Sequence, residues 1–175
     1  GFGAFIKIDG FNILPVLSLS MAITTFVGQN YGAGQMDRIK KGMWTTLIMT
    51  VLYTLISGSL LYHFAPKLIG LFTKDLKVIE AGVLASRFLC PFYFLLAILH
   101  SLAGTVRGTG KTVPPMIILL LSLCLFRIMA AKFVIPHYHT IENVYRLYPI
   151  SWLIGVVLMV GYTIKVDWIG ENKIL

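Results

Sequence analysis

Charged residues are scarce in this sequence. Only 13% of its 175 residues are charged, seven residues are acidic, and 57% are hydrophobic. A soluble domain usually carries about 25% charged residues, so this chain has too few charges to coat a globule of its size. This scarcity argues against a cytosolic enzyme, a nucleic-acid-binding domain and a disordered tail. It indicates an all-α polytopic membrane protein.

Other familiar signals are also missing. The two cysteines, Cys90 and Cys124, both lie in apolar segments, which predicts packing residues rather than a disulfide or metal pair. No basic stretch leads into a signal-peptide cleavage site, and no N-x-[ST] acceptor occurs. The chain opens on Gly1 without an initiator Met, so we expect it to begin inside a longer polypeptide.

What the sequence does contain is long apolar runs. A membrane helix needs about 20 mostly apolar residues, and charge-free gaps divide the chain into candidates of that length. The predicted spans are Phe2 to Gly28, Gly42 to Ala65, Val83 to Val106, Val113 to Ile135 and Val144 to Ile164. None is amphipathic like the core helix of a soluble protein, because apolar residues run all round.

The net charge of +8 reflects the ends of these spans rather than a nucleic-acid surface. Lys and Arg accumulate on the cytoplasmic side of membrane proteins and meet anionic lipid there. The side that holds the first and third connections and the tail has seven: Arg38, Lys40, Lys41, Arg107, Lys111, Lys165 and Lys173. The other side has five: Lys67, Lys74, Lys77, Lys132 and Arg146. This bias favours a cytoplasmic C-terminus.

A phosphate-binding loop is excluded at Gly110-Lys111-Thr112. That motif requires a glycine five residues before Gly110, where this chain has Thr105, and it follows a strand. Here an apolar helix is predicted before it, and Pro114 follows. The segment is therefore predicted to be a turn that ends one helix and starts the next.

Catalytic and metal-binding arrangements are not evident either. His137 and His139 have only Glu142 near them, whereas zinc requires three or four ligands. No nucleophile–base combination can be argued from the sequence. We expect no enzyme activity, no metal and no cofactor.

The strongest functional signal is the set of ionisable residues inside predicted spans: Lys7 and Asp9 in the first, Arg87 in the third and Arg127 in the fourth. A charge inside a membrane is costly and usually faces a partner or a wet cavity. Asp9, Arg87 and Arg127 fall in the same, non-cytoplasmic half of the bilayer, so we expect Asp9 to pair with Arg87 or Arg127. Such a pair would be a structural salt bridge or a charge that faces substrate.

The first span carries two polar stripes. At 100° per residue, Asp9, Asn12, Ser20 and Thr24 share one face, while Lys7, Ser18, Thr25 and Gln29 lie opposite. Two stripes indicate a helix with protein or water on both sides. Pro15 in this span and Pro91, beside Tyr93 in the third, predict kinks.

Three sequence markers resemble the multidrug and toxic compound extrusion (MATE) transporters. The first runs from Pro15 into Val27-Gly28-Gln29-Asn30-Tyr31-Gly32-Ala33-Gly34, which is followed by a basic stretch. The second is Leu71-Phe72-Thr73-Lys74-Asp75, and the third is the turn Gly104-Thr105-Val106-Arg107-Gly108-Thr109-Gly110-Lys111-Thr112. The markers occur in the family's order and spacing over essentially the whole chain.

The resemblance implies a fold of twelve helices in two six-helix lobes around a central cavity, with this chain as spans eight to twelve. The seventh span and the N-terminal lobe of the same polypeptide would then be its partners, with membrane lipid and a small organic substrate. It further implies export of drugs or organic cations in exchange for H⁺ or Na⁺, by alternating access, from a prokaryotic plasma membrane.

The chain departs from some family members in its coupling residue. They carry an acid in the tenth span, whereas Val83 to Val106 contains Arg87 and no Asp or Glu. The coupling acid is therefore expected outside this sequence. The predicted cavity-lining or polar-network groups are Asp9, Asn12, Ser20, Arg87, Tyr93 and Arg127.

Two other functions stay open at this point. One is a flippase for lipid-linked glycans, which would use Lys7, Arg87 and Arg127 to hold a pyrophosphate. The other is a membrane scaffold that transports nothing.

Overall fold

The computed structural model describes residues 2–165, and five helical segments account for most of them. The first two are α1 (Phe2–Gly32) and α2 (Met36–Gly70). The third consists of α3 (Leu76–Leu89), a 3₁₀ turn (Cys90–Phe92) and α4 (Tyr93–Gly108). The fourth consists of α5 (Val113–Leu119), a π-helical stretch (Leu120–Leu125) and α6 (Phe126–His137), and the fifth is α7 (Ile141–Lys165). Lys173, which was counted for orientation, lies outside the described residues.

All five segments are long and apolar enough to cross a membrane, which confirms the prediction of five spans in an all-α protein. Most of their ends lie beyond the predicted ones, whereas the starts at Phe2 and Val113 coincide with the prediction. For example, α2 begins at Met36 rather than Gly42, so that Arg38 and Lys41 lie in its first turns. The predicted ends were placed at charged residues. A helix can include such residues, because their long basic side chains extend to the headgroups while the backbone stays helical.

Helix α4 is the centre of the bundle. It packs against α1, α2 and α7, and α1 runs parallel to it. Small and polar residues such as Ala97, Ser101 and Thr105 are buried along it, which brings its neighbours close. Toward one end it joins an apolar cluster with Val27 of α1, and toward the other a cluster that contains Trp152 of α7.

The outer surfaces are apolar. The fourth segment buries almost none of its side chains within the described chain, and α6 packs only along α7 among the main helix contacts. Cys90 is buried in the core, as predicted for a packing residue. Cys124 is exposed, contrary to that prediction, because it lies on a segment with a neighbour on one side only.

The two predicted kink sites differ in structure. Helix α1 continues through Pro15 without a break. At Pro91 the α-helical pattern gives way to the 3₁₀ turn, since a proline removes one backbone donor. Gly58 of α2 allows this turn to approach, because a Cβ there would lie 2.9 Å from the carbonyl oxygen of Cys90.

Candidate functional site

The contact between α1 and α4 is a line of small residues at a spacing of four. On α4 these are Gly104 and Gly108. A Cβ on Gly104 would lie 2.6 Å from the carbonyl oxygen of Ser20, and a Cβ on Gly108 would lie 2.7 Å from that of Thr24. Small residues at this spacing allow membrane helices to approach backbone to backbone. The two helices therefore approach closely at these glycines, with Ile23 and Val27 of α1 packed beside them.

Hydroxyl groups reinforce this contact. The Ser20 hydroxyl donates to the carbonyl oxygen of His100 over 2.8 Å, and the Thr24 hydroxyl donates to the carbonyl oxygen of Gly104 over 2.7 Å. Arg107 donates from a guanidinium nitrogen to the Ser20 hydroxyl oxygen over 3.2 Å. Ser20, which was predicted to belong to a polar network, therefore connects the two helices by hydrogen bonds, and its hydroxyl oxygen accepts one from the guanidinium group.

Asp9 and Tyr93, both predicted site residues, meet at the other end of the same contact. The Tyr93 hydroxyl donates a hydrogen bond to the Asp9 carboxylate. Tyr93 is 1% exposed, and its ring centroid lies 5.8 Å from that of Trp152. The parallel course of α1 and α4 brings these residues together.

The predicted ion pair between Asp9 and Arg87 or Arg127 is wrong. Within residues 2–165, Arg87 is exposed on α3 and Asp9 is paired with Tyr93. Arg127 instead donates from Nε to the Ser151 hydroxyl over 2.9 Å and stacks over Tyr148, with its guanidinium carbon 4.2 Å from the ring centroid. The cause is helix placement, since Arg127 lies on α6, which packs on α7 rather than on α1.

An aromatic path nonetheless links the two charges. Tyr93 contacts Trp152, and the Trp152 ring lies edge-on to Tyr148 at 6.5 Å between centroids. Arg127 stacks on the far side of that path. Asp9 and Arg127 thus lie at the two ends of one series of ring contacts and form no direct ion pair.

Asn12, the remaining predicted residue, faces α2. The Tyr53 hydroxyl donates to the backbone carbonyl oxygen of Asn12 over 3.0 Å. The side-chain amide nitrogen of Asn12, Nδ2, is buried and has no hydrogen-bond partner among the described residues. An amide donor in this position is available to a ligand or to a part of the protein outside residues 2–165.

The second polar stripe of α1 is exposed. Lys7, Ser18, Thr25 and Gln29 all lie on the side that faces away from α4. A polar face on a helix that crosses a membrane requires water or protein beside it rather than lipid. Phe11 and Leu14 are exposed on the same side of α1, so the face is mixed, and Ser18, Thr25 and Gln29 form the polar part of it.

The glycine-rich markers form the two turns at one end of the bundle. Gly34 and Gly110 have φ angles of 73° and 89°, a backbone conformation that glycine adopts without strain. The Asn30 side-chain amide donates to the carbonyl oxygen of Phe26 over 2.8 Å, and the Asn30 backbone carbonyl oxygen accepts from the backbone N–H of Gln35. The segment Gly110-Lys111-Thr112 is a turn between two helices, as predicted.

The other marker residues have the following places: Gly28, Gln29, Gly32 and Ala33 lie at or just after the end of α1, Arg107 and Gly108 in the last turn of α4, and Thr112 before α5. His137 lies with Nδ1 2.8 Å from the carbonyl oxygen of Phe133. Among residues 2–165, no three His, Cys, Asp or Glu side chains come together.

Sequence reasoning missed His100, Ser151 and the pairing of Arg107 with Ser20. The available signal was the four-residue spacing of Gly104 and Gly108, which is typical of a helix contact in membranes. The partner helix could not be derived from that spacing.

Several known proteins are similar to this chain in sequence. The multidrug resistance protein of Thermotoga maritima named "Probable multidrug resistance protein NorM" is 32% identical over 133 residues, which cover 76% of this chain and 29% of the relative. The Bacillus subtilis protein "Probable multidrug resistance protein YoeA" is 23% identical over 167 residues, 92% of this chain and 35% of the relative. The Shewanella oneidensis "FAD transporter" is 34% identical over 83 residues, 45% of this chain and 18% of the relative.

The chain thus spans about a third of the length of the first two relatives. A family model, MatE, matches residues 1–132, which include α1 to α4 and most of the fourth segment. The chain belongs to the MatE family.

Proposed function

We propose that this chain is part of a secondary transporter that exports drugs or organic cations in exchange for H⁺ or Na⁺. The observation that carries the proposal is the membership of the MatE family, together with relatives named for multidrug resistance. The rest of the polypeptide would supply the facing lobe, and alternating access would open the space between the two lobes to each side in turn.

The exposed polar face of α1 is our candidate for the surface that borders the substrate path. Ser18 lies near the middle of α1, so its exposure places a hydroxyl deep in the membrane. Thr25 lies two turns further along the same face. The Thr25 hydroxyl donates to the carbonyl oxygen of Met21 over 3.3 Å, whereas the Ser18 hydroxyl has no hydrogen-bond partner within residues 2–165 and would need water in place of lipid.

Thiol accessibility tests this assignment. In a variant in which Cys90 and Cys124 are replaced by Ala, we expect Ser18→Cys and Thr25→Cys to react with a charged, membrane-impermeant thiol reagent. Ile56→Cys is the matched control, because Ile56 is 62% exposed on an apolar face near the middle of α2. Equal protection of all three cysteines would contradict the wet face.

The transport activity itself is tested in proteoliposomes that contain the complete polypeptide. We expect efflux of a cationic dye that depends on an imposed H⁺ or Na⁺ gradient and stops when an ionophore dissipates it. Efflux that ignores both gradients would contradict antiport, and absence of any dye efflux would contradict drug export.

FAD export is a second candidate, favoured by the relative that bears that name. FAD is anionic, and Arg107 reaches from the end of α4 toward the membrane interior to contact Ser20. Gradient-dependent FAD efflux without dye efflux would support it. The flippase alternative has less support, because Lys7, Arg87 and Arg127 lie on three different helices and Arg127 is engaged by Ser151.

A further inference from the structure

The cavity between α1 and α2 combines an apolar wall with a basic mouth. Its volume is about 470 Å³, and α1 lines it with Leu19, Ala22, Ile23 and Phe26. On α2, Arg38 and Lys41 line the same cavity one turn apart, and Gly42, Thr45 and Thr46 follow. The polarity of the lining therefore changes along the cavity, from the two cations in the first turns of α2 to the apolar side chains of α1.

The packing of Phe26 shapes this cavity. A Cβ on Gly42 would lie 2.5 Å from the Phe26 ring, so the glycine allows the ring to lie against α2. The residues from Leu19 to Phe26 extend about 10 Å along the helix axis, at 1.5 Å per residue. The apolar part thus has a length suited to part of an extended acyl chain.

The two cations are available to an anion. Within residues 2–165, neither Arg38 nor Lys41 forms an ion pair, and both are exposed. Both lie near the N-terminus of α2, where the helix dipole disfavours positive side chains and favours a negative group. An arginine fork and a lysine ammonium on one helix face are the side chains that bind phosphate esters.

We propose that this cavity holds one anionic phospholipid, with its phosphate between Arg38 and Lys41 and an acyl chain against Leu19, Ala22 and Phe26. The lipid belongs to the leaflet that meets the first turn of α2. A free phosphate would use the cations and leave the apolar wall empty, so the two-part lining favours a lipid. The proposal concerns binding and is independent of the transported substrate.

Native mass spectrometry of the complete polypeptide in neutral detergent tests the proposal. We expect phosphatidylglycerol to bind more tightly than phosphatidylcholine with the same acyl chains, and glycerol phosphate not to compete. Arg38→Gln and Lys41→Gln should each raise the Kd for phosphatidylglycerol about fivefold, and together about 25-fold, since each cation near a lipid surface contributes a similar increment.

Two matched controls isolate the cavity. Lys74→Gln with Lys77→Gln removes the same charge at the opposite end of the bundle, where both side chains are exposed, and should leave the Kd unchanged. Ala22→Leu fills the apolar part and should weaken binding at least about fivefold with both cations present. Met21→Leu changes a neighbouring exposed residue outside the cavity and should have no effect.

Circular dichroism and an unfolding titration of each variant show whether it is folded. Equal binding of the two lipids, an Ala22→Leu variant that binds like the parent, or competition by glycerol phosphate would each overturn the proposal. So would the absence of any bound lipid, which would mean that another part of the polypeptide covers the cavity.

Discussion

The line of small residues between α1 and α4 predicts that one substitution, glycine to alanine, will change stability in opposite directions at different positions. At Gly104 the added Cβ would lie 2.6 Å from the Ser20 carbonyl oxygen and 2.7 Å from its hydroxyl oxygen. Neither atom can move away freely, because the first is backbone and the second is held by His100. The helices must separate instead.

The magnitude follows from two opposing effects. Overpacking a tight contact costs about 1–3 kcal/mol, and alanine in place of a helical glycine returns about 0.5–1 kcal/mol. Gly104→Ala should therefore lower the free energy of unfolding by roughly 1 kcal/mol, and by about 2.5 kcal/mol at most. At Gly161 of α7 no atom lies within 4 Å of a Cβ, so only the gain of about 0.5–1 kcal/mol is expected.

Gly28 provides a control within the same contact. A Cβ there would lie 3.4 Å from the Gly108 carbonyl oxygen, an ordinary van der Waals distance, so Gly28→Ala should be neutral or mildly stabilising. The assay is reversible unfolding by sodium dodecyl sulfate in mixed micelles, followed by far-ultraviolet circular dichroism. A Gly104→Ala variant as stable as Gly161→Ala would refute the close approach of α1 and α4.

The same titration checks three further predictions. Tyr93→Phe leaves the Asp9 carboxylate without its donor and should lower the free energy of unfolding by about 1.5–3 kcal/mol. Asp9→Asn keeps an acceptor and should lower it by less. Equal losses in the two variants would contradict a charge-assisted hydrogen bond. Arg127→Lys keeps the charge but loses the planar stack on its aromatic neighbour and should cost about 0.5–2 kcal/mol, so an unchanged midpoint would be evidence against the stack. Gly34→Ala should lower the free energy of unfolding by about 1–2 kcal/mol, because the φ angle of Gly34 is positive. Gly32→Ala has open space around it and should not show this loss, so similar values for the two variants would argue against the turn.

The number and type of the membrane helices could be predicted from the sequence because each apolar run is long and holds at most one acid, Asp9 in the first. Their ends could not, since α2 continues through Arg38 and Lys41 to Met36. A charge shows where hydrocarbon contact stops, whereas the backbone hydrogen bonds that define a helix continue into the headgroup region. The predicted spans are therefore shorter than the helices.

The partners inside the membrane were harder to predict. Asp9 and Arg127 were expected to meet because both lie in the same half of the bilayer. The sequence indicates how deep a residue lies in the bilayer, but it does not show which helices are neighbours. With α1 on α4 and α6 on α7, Tyr93 became the partner of Asp9 and Ser151 that of Arg127. A tyrosine in an apolar span gives no charge signal, although it provides the donor that a buried carboxylate requires.

The positions of the family markers affect what the resemblance can establish. Gly108 lies at the close approach of α4 to α1, Gly28 is in van der Waals contact with its carbonyl oxygen, and Arg107 is bonded to Ser20 in the same contact. These residues fix how two helices pack and how the chain turns at one end of the bundle. None of these three lies on the exposed face that carries Ser18, whereas Gln29 of the first marker does. Marker residues that pack the helices therefore identify the architecture, and they carry no information about the chemistry of the face that holds Ser18.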